Sequence, residues 1–475
     1  MAEFGVVIVG AGQGGAPLAG ALSAAGRKVA LVERAHVGGT CVNEGCTPTK
    51  TMVASARVAH VVRRAAHYGV HVGQGDNKGN GEGNDKNSGE VRVDLGRVRE
   101  RKREIVAMFR EGSERGVRGK ENLTFIEGAA TFTGAKTLSV ALNEGGTRDL
   151  TAETVVINVG QRPNIPPIEG LDKVPYLTST SVMELGEVPG HLIVLGGGYI
   201  GLEFAQMFRR FGAEVTVVQR SSQLMPREDA DVAETLTDIL LEDGVTILLN
   251  SAAQRVSQEN GQISLTYTDG QGERTVQGSH LLVATGRKSN SDTLGLDAAG
   301  VRVDQRGNIE VSGNLETSVP GVYAIGDVKG GPAFTHIAYD DFRILRDNLL
   351  NGAGRTIDGR TVPYSLFTDP QLGRVGLSEK EAREAGYTIK VAKMPLSYAA
   401  RALEIDETRG LLKAVVDADT DKILGAAILS FDGGEVMTII QTAMLGGMPY
   451  QVLRDSPFAH PTLAESLNNL FGSFA

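Results

Sequence analysis

Two glycine-rich turns of one design stand 186 residues apart, and they restrict the fold more than anything else in this 475-residue chain. Gly10-Ala-Gly12-Gln-Gly-Gly15 follows the apolar run Phe4–Val9 and precedes the helical spacing Leu18, Leu22, Ala25. A second apolar run, Val29–Val32, then ends at Glu33. The pattern returns as Leu192–Leu195, Gly196-Gly-Gly198-Tyr-Ile-Gly201, a helix through Phe211 and the strand Glu214–Val218. Short apolar runs bounded by turns are the mark of buried parallel strands, so each copy reads as a βαβ unit. The first glycine allows a tight turn, the second lets a pyrophosphate approach the backbone, and the third lets helix pack on strand. A nucleotide-free turn of the same shape is the bland alternative. The predicted fold class is α/β: two Rossmann-like dinucleotide-binding domains followed by a C-terminal α+β domain.

The two copies differ at the residue where a ribose is read. Glu33 stands 23 residues after Gly10, where a carboxylate accepts from ribose hydroxyls. The same offset from Gly196 reaches Gln219, followed by Arg220. A carboxylate there would repel a 2′-phosphate, and Arg220 could pair with one, so NADPH is expected over NADH, with NADH possible. A solvated surface arginine is the other reading of Arg220.

Charge and composition exclude several classes of function. The 48 Lys and Arg against 57 Asp and Glu leave a net charge of −9 without a basic block, which argues against nucleic acid or an anionic membrane as partner. Residues 4–26 carry no charge, but their glycines and Gln13, with no basic residue ahead, fit a strand, turn and helix rather than a signal or membrane segment. A cytoplasmic protein is expected. Residues 73–89 are Gly/Asn-rich and read as a surface insertion, with a helix over 92–115 after it. The expected organisation is a first dinucleotide-binding domain in two parts, 1–152 and 284–355, a second over 153–283, and a separate C-terminal domain over 356–475.

Only two cysteines occur, both in Gly38-Gly39-Thr40-Cys41-Val-Asn-Glu44-Gly-Cys46-Thr-Pro-Thr-Lys50. A structural disulfide closing so short a loop would contribute only about 2 kcal/mol, and zinc would need a second ligand pair that is not nearby. A redox-active pair fits best, and no resident metal is expected. A helix starting at Thr47-Pro48-Thr49 would put Cys46 at its N-terminus, where the dipole favours a thiolate.

This segment closely resembles the redox signature of the class I pyridine nucleotide–disulfide oxidoreductases, among them lipoamide dehydrogenase, glutathione reductase and mercuric reductase. Further marks fall in order along the chain: Val159-Gly160, Tyr199 and Glu203 within the second nucleotide motif, Ala284-Thr-Gly286-Arg287, Val322-Tyr-Ala-Ile-Gly326-Asp327 and His460-Pro-Thr-Leu-Ala-Glu465. The resemblance implies FAD across the first unit, with Gly10, Gly12, Gly15, Gly39, Thr40, Gly160 and Gly326 around it. Glu33 would hold the adenosine ribose, Asp327 the ribityl chain, and the Ala130 backbone the adenine edge. NAD(P) would lie on Gly196, Gly198, Ile200, Gly201, Gln219, Arg220 and Gly286. Cys46 would be the thiol beside the flavin and Cys41 the exchanging thiol. Lys50 would reach the flavin and pair with Glu203, and Tyr199 would cover the nicotinamide pocket. His460 and Glu465, from the partner subunit of a homodimer with shared active sites, would form the acid–base pair of disulfide exchange. Thr462-x-x-Glu465 is also a capping box, so the two roles can coexist.

Departures bear on the acceptor. The extra C-terminal cysteine pair of mercuric reductases is missing, Phe458-Ala459 replaces the His-Ala usual in lipoamide dehydrogenases, and Glu44 stands where a small or apolar residue is usual. The segments Phe334–Arg343 and Leu467–Phe471 look most like a mercuric-reductase-like branch that includes flavoenzymes of copper reduction. The expected activity is NAD(P)H:disulfide reduction toward a small disulfide or thiol-reactive acceptor, with a metal-ion reductase or dihydrolipoamide dehydrogenase as alternatives.

Overall fold

The computed structural model describes residues 2–71 and 91–474, so the glycine-rich stretch 73–89 lies outside the described residues. The chain divides into two compact units, Met1–Thr49 with Arg101–Asn164 and Gly286–Val362, and Lys50–Glu100 with Ile165–Thr285 and Pro363–Ala475.

In the first unit, Phe4–Val9 pairs in parallel with Val29–Glu33 on one side and Thr147–Ile157 on the other. Leu123–Gly134 adds beyond Val29–Glu33, and Val322–Ala324 adds beyond Thr147–Ile157. Phe4–Val9, Val29–Glu33 and the Val155–Ile157 end of the third strand are almost wholly apolar because both faces of a parallel sheet are covered. Val7, Ile8, Leu31 and Val156 have no exposed surface, each contributing roughly 1.5–3 kcal/mol by burial. Leu123–Gly134 and Thr147–Ile157 continue past the parallel region to pair antiparallel with Thr137–Leu142.

The second unit contains the second copy. His191–Leu195 lies between His280–Val283 and Glu214–Val218, and Thr246–Leu248 forms the far edge, all parallel. Its core gathers Leu192, Val194, Phe204, Phe208 and Val217, all essentially buried. The same unit holds a five-stranded antiparallel sheet in the order Tyr364–Leu366, Gln371–Gly376, Ile423–Ser430, Leu411–Asp417, Ile389–Pro395. Helix Gly433–Leu445 packs on it through Val436, Met437 and Ile440.

Element positions follow the sequence expectations, with two differences. The helix expected from residue 92 begins at Leu95, because the Asp94 carboxylate accepts the Arg97 N–H at 2.9 Å and ends the coil there. An unforeseen short helix, Gly39–Asn43, carries Cys41. Among the described residues no helix is long and apolar enough to cross a membrane.

Candidate active site

The two glycine turns share their geometry. Gly10 and Gly196 have φ of +102° and +115°, and a Cβ on either would fall 2.4 Å from Asn158 O or 2.5 Å from Ala284 O. A Cβ on Gly15 or Gly201 would fall 2.1 Å from the carbonyl oxygen of Gly10 or Gly196. Each turn is thus clamped between its own strand and the next parallel strand, and only glycine fits.

The first turn meets the requirements of a dinucleotide. Helix Gly15–Ala24 starts behind Gly14, which has no side chain to cap the first-turn N–H groups, so they are left to an anion. Glu33 at its strand end accepts from Ala11 N at 2.8 Å and Ala35 N at 2.9 Å, and each carboxylate oxygen keeps a lone pair. The Asn158 amide donates to Gly10 O at 3.1 Å and stands against Gly14 and Gly15. Ala130 is buried in the core, opposite Val140 in the antiparallel ladder. Gly160 opens onto free space, and Gly326 donates to Asp341 Oδ2 at 2.8 Å. Burial pushes the Asp327 carboxyl above the usual carboxylate range, against the pull of Arg287 and Lys329. A buried carboxyl beside an uncapped helix and a glycine cradle fits a bound FAD.

The cysteine segment is stitched onto this turn. Gly38 donates to Ala11 O at 2.9 Å, and Gln13 Nε2 donates to Gly38 O at 3.0 Å. A Cβ on Gly39 would sit 2.8 Å from Gly12 Cα, so the two loops are in contact. Asn43 donates to the carbonyls of Val37 and Gly39, and Arg110 Nε holds Asn43 Oδ1 at 2.7 Å. Thr40 and the half-buried Cys41 ride on the short helix, while exposed Cys46 is the first residue of helix Cys46–Arg64. Thr335 Oγ1, at the start of helix Thr335–Asn351, is 3.5 Å from Cys46 Sγ. Burial lowers the Arg287 pKa, and the opposing fields of Asp327, Glu44 and Cys46 raise it, so a partly buried cation lies within electrostatic reach of the thiol.

The second turn leaves more room. Gly198 and Gly286 open onto free space, and helix Tyr199–Phe211, on which Ile200 sits, has no capping side chain. Gln219 replaces Glu33 in kind: its Oε1 accepts from Gly197 N at 3.3 Å. Arg220 beside it is exposed. On the same helix, the buried Glu203 accepts Lys50 Nζ at 2.7 Å and Phe367 N at 2.9 Å, and Lys50 lies 4.7 Å from the centre of the Phe367 ring. Tyr199 meets Tyr364 edge to face, and the Tyr364 hydroxyl donates to Glu228. Burial drives both phenols and the Glu228 carboxyl above their ordinary ranges.

Near the C-terminus His460 Nδ1 is 2.8 Å from Glu465 Oε2. Thr462 Oγ1 also accepts the Glu465 N–H at 3.3 Å, so half of the capping box forms alongside the His–Glu contact. The Nδ1 contact with Glu465 orients this exposed imidazole.

Among the described residues no group of three His, Cys, Asp or Glu side chains could hold a metal ion. Sequence reasoning missed Asn158, Thr335, Tyr364 and Glu228, which come to their sites from distant segments. It noted Arg287 only as part of a motif.

The family profile described as pyridine nucleotide-disulphide oxidoreductase matches residues 4–341, and that of its dimerisation domain matches 362–471. The chain is 38% identical to a probable pyridine nucleotide-disulfide oxidoreductase, RclA, of Escherichia coli, over 99% of both chains. It is 36% identical to the mercuric reductase of Streptomyces lividans, over 98% of this chain and 94% of that one. The dihydrolipoyl dehydrogenase of Geobacillus stearothermophilus is 30% identical over 98% and 94%. A solved structure described as the Cu(II) complex of the HOCl-induced flavoprotein disulfide reductase RclA superposes with a TM-score of 0.88, covering 99% of both chains.

Proposed function

The chain belongs to the pyridine nucleotide–disulphide oxidoreductase family of FAD- and NAD(P)H-dependent enzymes, and from that premise we propose that it carries electrons from NADPH to a Cys41–Cys46 disulfide and on to a small disulfide or other thiol-reactive acceptor. The supporting observation is the setting of Cys46. It begins a 19-residue helix, has the Thr335 hydroxyl at 3.5 Å, and lies within the electrostatic reach of the half-buried Arg287 guanidinium. A helix N-terminus and a cation both stabilise a thiolate over a thiol. In this reading residues 1–152 and 284–355 form the FAD domain, 153–283 the NAD(P) domain and 356–475 the dimerisation domain.

A bound FAD would supply two-electron transfer between the nicotinamide and the disulfide. The chain's own residues hold and orient. The uncapped helix Gly15–Ala24 takes the pyrophosphate, Glu33 the ribose hydroxyls and Asp327 the ribityl chain. Gly196, Gly198 and Gly201 cradle the pyridine nucleotide, Arg220 pairs with its 2′-phosphate, and Tyr199 covers the nicotinamide site. Glu203 fixes the Lys50 ammonium so that its charge points toward the flavin. Cys41 exchanges with the acceptor, and His460 of the partner subunit, oriented by the partner's Glu465, moves the proton at its thiol.

A metal-ion acceptor is the second reading. It is favoured by the similarity to mercuric reductase and to an RclA whose solved structure is described as a Cu(II) complex, and by the exposed Glu44 carboxylate between the cysteines. The ion would then be substrate at the dithiol. In this reading the protein works in the cytoplasm, where a reducing environment keeps such a pair cycling.

Anaerobic turnover of NADPH and NADH with oxidised lipoamide, glutathione disulfide, Cu(II) and quinones tests these readings. NADPH-driven reduction of a disulfide that disappears in Cys41→Ser and Cys46→Ser supports the first. Turnover only with Cu(II), again cysteine-dependent, moves the assignment to the second. Turnover that survives both cysteine substitutions overturns both.

A further inference from the structure

Behind Tyr199 stands a file of buried polar groups that the mechanism above does not use. Tyr199 opens helix Tyr199–Phe211, Tyr364 opens strand Tyr364–Leu366, Glu228 precedes helix Ala230–Glu242, and Arg374 lies in strand Gln371–Gly376. The two phenol rings meet with centroids 5.4 Å apart at 89°, and their hydroxyls hydrogen-bond to each other. The Tyr364 hydroxyl donates to Glu228 Oε1, and Arg374 Nε stands 3.4 Å from Glu228 Oε2. Glu228 and Arg374 are 6% and 4% exposed, so neither is a surface ornament.

The donor order follows from the chemistry. A hydroxyl has one proton, and that of Tyr364 is given to the carboxylate. Its oxygen is then left to accept, so Tyr199 donates to Tyr364. Arg374 offsets the buried negative charge that anchors the file.

We propose that Tyr364, anchored by Glu228 and Arg374, is a positioning residue that latches Tyr199 over the nicotinamide site, so that an entering pyridine nucleotide must break the bond between the two phenols. The inference rests on the reading of Tyr199 as the cover of that site. A net hydrogen bond shifts an open–closed equilibrium by about 2- to 10-fold, and apparent affinity changes by the same factor when the closed form dominates.

The test is the rate of flavin reduction by NADPH in the FAD-loaded protein, whose saturation gives a Kd, with Tm recorded beside it. Tyr364→Phe should lower that Kd by about 2- to 10-fold. Tyr199→Phe should do the same, and the double variant should go no further, because one bond is removed three ways. A Tyr364 that served only to satisfy the buried Glu228 would lower Tm on losing its hydroxyl and leave Kd unchanged. An unchanged or raised Kd in both single variants, or full additivity in the double, overturns the latch. Tyr199→Ala separates the premise from the inference. If it alters the Kd while Tyr364→Phe does not, the cover stands and the latch falls. If it alters neither Kd nor rate, the cover reading fails and the latch with it.

Discussion

Arg287 carries a full charge into a buried place, and its use is to be sought in its neighbours Asp327, Glu44 and Cys46. Arg287→Gln should slow alkylation of reduced Cys46 by iodoacetamide at neutral pH by roughly 3- to 10-fold, since the thiolate loses its cation. An unchanged alkylation rate would mean that the helix terminus and Thr335 suffice. Cys46→Ser should remove the long-wavelength absorbance expected after two-electron reduction, whereas Cys41→Ser, which has no disulfide to reduce, should show it already in the oxidised protein and lose it when two electrons reduce the flavin. At the other cradle, Arg220→Ala should weaken NADPH use by about 1–3 kcal/mol with little effect on NADH, as for the loss of one charge-assisted contact. Equal effects on both coenzymes would free Arg220 of that role.

Among elements, the strand Leu411–Asp417 carries the least expected feature. Its Lys413, 3% exposed at the side chain, reaches Asp229 at 3.1 Å, Asp231 at 3.1 Å and Glu379 at 2.9 Å. Burial opposes the charge, but hydrogen bonds donated to Glu379, Asp229 and Asp231 still raise the Lys413 pKa. Asp231 is drawn below its usual range by Lys393 and Lys413 against the effect of burial, and Glu379 by Arg383 and Lys413. Depressed carboxylates stabilise the fold above their unfolded pKa values, and that share is lost as pH falls through their folded ones, below about 4. The raised lysine contributes up to its unfolded value and loses its share only in strong alkali. Lys413→Ala should therefore cost roughly 3–5 kcal/mol at neutral pH, read from denaturant unfolding, and flatten the acid limb. No sequence signal gives this cluster away, because a lone lysine in a strand reads as solvent-facing. The parallel strands were legible because they are unbroken apolar runs, and the turns because the glycines sit where no Cβ fits. The Tyr364–Glu228 file, the Thr335 contact and the Asn158 amide were not legible. Each joins segments far apart in sequence, which local periodicity cannot report.

At the scale of the whole molecule, the dimerisation domain makes a homodimer the working unit, and the proposed sharing of sites makes activity a property of the pair. His460→Gln should leave flavin reduction by NADPH nearly intact and slow disulfide turnover by roughly 10²–10⁴-fold. Mixing His460→Gln with Cys41→Ser subunits should restore about a quarter to half of the activity, depending on how the chains pair. Mixed dimers that stay inactive would end the shared-site reading. Unchanged disulfide turnover in His460→Gln alone would direct attention to an acceptor that needs no proton.

Glu33 and Gln219 fasten their respective glycine loops through the same kind of contact, a side-chain oxygen accepting the N–H of Ala11 or Gly197. The amide keeps this fastening and gives up the charge. Descent by duplication could therefore diversify the two copies at this one position without disturbing either turn, a separation of architecture from preference that makes coenzyme choice unusually evolvable. On the proposed reading, Gln219→Glu should move selectivity toward NADH in a single step while the unfolding midpoint stays where it was.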